Sequence, residues 1–157
     1  MDGAAHDEEL RRWRGWIGRT ETRTELLAPA QARAAAALLD AGEDPDGPGS
    51  TREAAAALPA AEPATLPPLW HWFHFLPHAP QQALGADGHP PRGGFLPPVP
   101  YPRRMFAGAR LTFHRPLALG RPATREGTIR DVAVKRGRTG ALAFVTVGYR
   151  YVQDGET

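Results

Sequence analysis

An α+β fold is predicted by three features of this 157-residue chain. The run PAQARAAAALL over Pro29–Leu39 is built of strong helix formers. Arg110–Phe113, Thr124–Val134 and Ala141–Val152 are strand-like runs separated by turn residues, an antiparallel meander. Between these regions, Pro77–Pro102 is so dense in proline and glycine that it forms an irregular excursion instead of a helix. At this length the default is one domain with its own core.

Taken in order, residues 1–14 are charged and expected to be disordered, leaving a single domain over 15–157. In the helix Pro29 suits the first turn and Gly42 the stop, and the apolar stripe joins Leu27, Ala30, Ala34 and Leu38 with neighbouring Ala35. Ala41–Pro63 turns to Gly, Pro, Asp and Ala and reads as a solvated loop with a short helix at Arg52–Leu58. Leu69–Leu76, aromatic-rich and bounded by Pro67, Pro68 and Pro77, is expected to be a strand. Lys135–Gly140 joins the last two strands, with glycines able to supply positive φ. In the final strand both faces begin apolar, so its first half is expected to be central and covered. Asp154 and Gly155 look like the start of a further hairpin turn whose returning strand is missing, so the edge is expected to be completed by a partner or by more chain.

Composition narrows the chemistry. Without cysteine there is no disulfide, thiolate nucleophile or thiolate zinc site, which suits the cytoplasm. Ser50 is the only serine and asparagine is absent, which argues against a serine hydrolase. No glycine pattern matches a P-loop or a dinucleotide fingerprint. The net charge of +2 comes from arginines scattered among Asp and Glu, unlike a nucleic-acid face, and no apolar run would span a bilayer. Of 19 Lys and Arg residues only Lys135 is lysine, a bias that GC-rich coding produces alone. The stretch from Leu66 to Phe113 joins stiff backbone, bulky apolar side chains and an arginine pair, as a cleft for a ligand with an oily and an anionic part would.

The segments GRTETRTELL, LPPLWHWFHFLP, LGADGHPPRGGFLPPVPYPRRMFAGARLTFHRPL and KRGRTGALAFVTV occur in this order. From about Gly15 to Thr157 the chain resembles the N-terminal half of the MaoC-like double-hotdog dehydratases, of the mesaconyl-C4-CoA and itaconyl-CoA hydratase type, and the related hydroxyacyl-thioester dehydratases. The resemblance implies a hotdog fold, a curved antiparallel sheet packed on a helix. It implies reversible addition of water to an enoyl thioester of coenzyme A or acyl carrier protein, with no other cofactor. Its catalytic pair, an acidic or amide residue followed five positions later by His, belongs to the C-terminal half. Residues five beyond Asp2, Asp44, Asp46 and Asp87 are Asp7, Gly49, Thr51 and Arg92, none of them His. Phe106 and Ala109 stand where the resemblance leads one to expect Trp and Gly.

The expected function is thus the pocket-bearing, non-catalytic half of an acyl-thioester hydratase, paired with a catalytic half or second subunit as a homo- or heterodimer. The alternative is a stand-alone acyl-CoA or acyl-carrier binding module, and a weaker third is a scaffold for a dimer. Expected substrate contacts are Trp70, Trp72, Phe95, Arg103, Arg104, Met105 and Phe106, with guanidinium forks suited to phosphate oxygens. An equally good reading has the arginine pair solvated or bound to local carboxylates. Lys135, Arg136 and Arg138 concentrate charge where coenzyme A phosphates or an acidic carrier could meet it, although turn cations are ordinarily just solvated. His114 is the best candidate for a general base within the chain and His89 a second, both more simply structural. His71, His74 and His78 have a helical metal-site spacing that Pro77 and the strand pattern oppose, so no metal is expected.

Overall fold

Why the strongly charged N-terminus folds is visible in one residue. In the computed structural model, which describes residues 2–39, 65–137 and 140–156, Asp2–Arg14 forms helix α1 where disorder was expected. Leu10 and Trp13, three apart, share a face; Trp13 is 2% exposed among Val99, Ile129 and Val132, and Leu10 packs beside it. Arg11, Arg12 and Arg14 in the last turn complement the helix dipole, and Arg14 Nε donates to the Val132 carbonyl at 3.3 Å.

Strand β1, Thr20–Leu26, was not anticipated. It carries almost no apolar residues, yet its burial alternates with period 2, and its polar side chains pair across the ladder. Thr24 and Thr124 share a hydroxyl hydrogen bond of 2.8 Å, and Glu21 takes the Arg125 guanidinium at 3.0 Å. Helix α2, Pro29–Leu39, occupies the expected residues, but only part of the expected stripe is inward: Leu27, just before the helix, and Ala35 are buried, whereas Ala30, Ala34 and Leu38 are exposed. Ala32, Ala35 and Ala36 are buried and Leu38 is 70% exposed, because small side chains let the helix approach its neighbours closely. It lies against a 3₁₀ turn at Trp70–Phe73, where Gln31 Nε2 donates to the Phe73 carbonyl.

That turn replaces the strand expected over Leu69–Leu76. The bracketing residues Leu69 and Phe75 adopt left-handed φ of 73° and 56°, which no strand accommodates, and Pro67 and Pro68 already interrupt any ladder upstream. The strand pairing here is shorter: β2, Thr65–Leu66, pairs antiparallel with β3, Leu117–Ala118, in the register Thr65↔Ala118 and Leu66↔Leu117. Arg110–Phe113, also expected as a strand, has no regular structure. Pro77–Pro102 contains only the 3₁₀ turn Gln81–Ala83.

Strands β4, Pro122–Gly137, and β5, Gly140–Val152, match the last two expected runs and extend them. The larger sheet has the order β1-β4-β5. Backbone bonds from Gly18 N to Ile129 O and from Leu27 N to Arg121 O, 2.9 and 3.0 Å, make β1 antiparallel to β4. β5 is last in that order, not central; its Ala143, Val145 and Val147 face packs on the core, while on the other face Leu142 is 47% exposed and Phe144 is only partly covered. The turn expected at Asp154 and Gly155 is present: both have positive φ and Gln153 and Glu156 exchange two backbone bonds. Gly42, the Ala41–Pro63 loop with its Arg52–Leu58 helix, and Arg138 lie outside the described residues.

The chain divides into two compact units, to both of which β1, β4 and β5 contribute residues. The first comprises Met1–Thr22, Pro77–Arg110 and Arg125–Arg150, with the core around Trp13, Val99, Ile129 and Val132. The second comprises Arg23–Leu76, Leu111–Thr124 and Tyr151–Thr157, with the core of Leu27, Ala32, Leu66, Phe75, Leu119 and Ala123.

Candidate functional site

In the first unit the excursion is organised by one carboxylate, Asp87. Gly88, at φ 72°, closes a tight turn in which Gly85 N and His89 O bond at 2.8 Å, and this turns Asp87 toward the chain that follows. Its Oδ1 accepts the His89 N–H at 3.2 Å, and its Oδ2 accepts Arg104 Nε at 2.9 Å and Arg92 Nη2 at 3.3 Å. Desolvation pushes the Asp87 carboxyl up, but the His89 N–H and the Arg104 guanidinium outweigh it and hold the group below the ordinary carboxylate range. Arg92 Nη1 donates to the carbonyls of Tyr101, at 2.6 Å, and Val99, and Arg104 Nη2 to that of Pro90 at 2.6 Å. Two guanidiniums thus join three stretches of irregular backbone.

The expected ligand contacts in this unit separate accordingly. Arg104 is bound to a local carboxylate, whereas the adjacent Arg103 is exposed with no ion pair among the described residues. Met105 and Phe106 are 78% and 75% exposed. Phe95 is half-buried against the core, and a Cβ on Gly127 would stand 3.2 Å from its ring. The exposed His89 ring places Nδ1 at 2.7 Å from the Asp87 carbonyl, which can only accept, so Nδ1 carries the proton. Lys135 lies over the Phe144 ring, 5.2 Å from its centre, and Arg136 is exposed.

In the second unit the 3₁₀ turn sets two histidines inward. His71 is 6% exposed, its ring centre 4.6 Å from that of Tyr151 and 6.4 Å from that of Phe113, and burial lowers its pKa. The His74 ring is wholly buried, with Nδ1 3.6 Å from Glu25 Oε1; burial lowers its pKa by more than Glu25 raises it. Glu25 Oε2 in turn accepts the Phe75 N–H at 3.1 Å. The strand pattern that opposed a metal site is itself corrected, since His71 lies within the 3₁₀ turn and His74 follows it directly, both buried. No group of three or more metal-ligating side chains assembles among the described residues. Trp70 packs against the core, Trp72 is 49% exposed, and His114 is exposed with no carboxylate partner among the described residues.

Asp87 and Glu25, the carboxylates around which these groups gather, escape a reading of local motifs. The Asp-Gly pair signals the turn at Asp87, but Arg104 lies 17 residues on, and Phe75 is 50 residues from Glu25.

Residues 69–156, more than half of the chain, match the hydroxyacyl-thioester dehydratase type 2 family. The chain belongs to this dehydratase family. The α+β hotdog class, with its antiparallel sheet and few helices, holds for it. The dehydratase-family chain is also 57% identical over 141 residues to a mesaconyl-C(4)-CoA hydratase of Chloroflexus aurantiacus. That match covers 90% of this chain and 45% of the relative, so the chain spans less than half the relative's length. No helix among the described residues is long and apolar enough to cross a membrane.

Proposed function

We propose that this chain is the pocket-bearing half of an acyl-CoA hydratase, acting on an enoyl thioester of the mesaconyl or itaconyl kind, with the proton-transferring pair in another half or subunit. The observation that carries this is the match to under half of a mesaconyl-C(4)-CoA hydratase, in a chain with no acidic or amide residue five positions before a histidine. In the hydration, a base in the partner half would take a proton from water as its oxygen bonds to the β carbon. An acid would deliver a proton to the α carbon, and donors would hold the negative charge that builds on the thioester oxygen. Arg103, Met105 and Phe106 offer a cation beside exposed apolar surface, as a thioester with a phosphorylated carrier would require. Lys135 and Arg136 are cations for the same carrier, coenzyme A.

The test is reconstitution. This chain alone should leave an enoyl-CoA unchanged, and the remaining half, supplied fused or separate, should restore hydration. Turnover by the chain alone that survives His114→Ala and His89→Ala would overturn the division of labour. Tight binding of a non-reactive acyl-CoA, with no turnover even beside the other half, would favour a binding module instead.

A further inference from the structure

We infer that Asp87 is a positioning residue: by holding Arg104 it makes one of two adjacent guanidiniums part of the scaffold and leaves Arg103 as the cation that meets the phosphates of a coenzyme A thioester. The inference rests on the acyl-CoA reading and deepens it, because it says which of the two arginines touches ligand and what orients it.

The geometry separates the pair. A guanidinium grips a phosphate or carboxylate best through two parallel N–H bonds on one edge. In Arg104 the Nε and Nη2 edge is already committed, Nε to Asp87 Oδ2 at 2.9 Å and Nη2 to the Pro90 carbonyl at 2.6 Å. Arg103 is exposed and has no such commitment among the described residues. Asp87, with 16% of its side chain exposed, also takes Arg92 and the His89 N–H, so its charge is shared among donors from positions 89, 92 and 104. Arg92 and Arg104 are thereby brought close together with one carboxylate between them among the described residues, and the surplus positive charge favours an anion nearby. Without the Asp87 charge the two guanidiniums repel, and the backbone at 104 loses its tether to 87 and 90.

The experiment uses the protein with both halves present and compares a coenzyme A thioester with the same acyl group on N-acetylcysteamine, which carries no phosphate. Arg103→Gln should raise KM for the coenzyme A thioester about tenfold, the loss of one charge-assisted contact, with kcat unchanged and KM for the short thioester unmoved. Asp87→Asn and Arg104→Gln should show the same selective rise. Arg103→Gln added to Asp87→Asn should cost little more, since both act on one contact. Asp87→Glu, which keeps the charge, should stay near the wild-type KM and covers the case in which Asp87→Asn fails to fold. Equal KM shifts for both thioesters, or a loss of thermal stability with KM unmoved, would overturn the inference by making Asp87 scaffold alone. Should the wild type bind coenzyme A thioesters without hydrating them, the hydratase reading fails while the inference stands or falls on the same variants measured as calorimetric affinities. Absence of any binding overturns both.

Discussion

The two units handle buried polarity in opposite ways. In the first, Asp87 is surrounded by donors whose charges answer its own, and each of the two arginines also reaches a carbonyl. In the second, His71 and His74 sit in an aromatic and apolar nest where burial outweighs any charge that would stabilise the protonated ring. One arrangement is stabilised by ionisation and the other by staying neutral, so acidification should act on them in different pH ranges.

The largest test of the comparison is removal of one core anchor from each unit. Phe75→Ala, at 2% exposure in the second core, should destabilise by about 3–5 kcal/mol, and Ile129→Ala, fully buried in the first, by about 2–5 kcal/mol. Denaturant midpoints measure both, and a loss below about 1 kcal/mol at either site would show that its core collapses around the gap. A smaller effect is expected at Gly127, where a Cβ would come within 2.8 Å of Tyr149 Cε1 and 3.0 Å of Glu21 Cγ. Gly127→Ala should cost about 1–3 kcal/mol by overpacking in the first unit.

The pH dependence sharpens the contrast further. For His71 and His74 the folded pKa lies below the unfolded value of about 6.5, so between the two the unfolded chain binds more protons. Their contribution is complete above about pH 6.5 and is lost as pH falls through the folded values. Thermal melting should therefore fall on mild acidification, and His74→Leu should flatten that limb. The Asp87 contribution follows a carboxylate held low; it is present above about pH 3.9 and lost only as pH drops through its folded value. An acid limb unchanged in His74→Leu but flattened in His71→Leu would mean that His71 alone sets it, and one unchanged in both would mean that the second unit does not set it.

How much of this was legible in sequence depended on whether a segment's signal was local. Helix α2 could be read to its residues because helix formers follow a proline at the first turn, yet its buried face only in part, since an alanine-rich surface leaves the choice to tertiary neighbours. Strands β4 and β5 carry their own β-branched and aromatic signal. β1 does not: TETRTEL becomes a strand because β4 supplies partners for its Thr and Glu side chains. WHWF reads as a strand by composition and is a 3₁₀ turn because Leu69 and Phe75 take left-handed φ on either side. Of the site, the exposed Met105 and Phe106 and the arginine pair were legible as residue types. The unequal partners of Arg103 and Arg104 were not, being set by a carboxylate 17 residues away.

Proline removes an amide hydrogen wherever it stands, so the stretch from Pro77 to Pro102 is rich in acceptors and poor in donors of its own. The deficit is met from side chains: the oxygens of Pro90, Gly94, Val99 and Tyr101 are reached by Arg104, by Arg19 and the Trp16 indole, and by Arg92. An ammonium has no planar fork with which to bridge separated oxygens in this manner. The near-absence of lysine thus has a chemical counterpart here. Exchanging Arg92 for lysine, an apparently conservative change, would remove the fork that ties the proline-flanked backbone at Val99 and Tyr101 to Asp87.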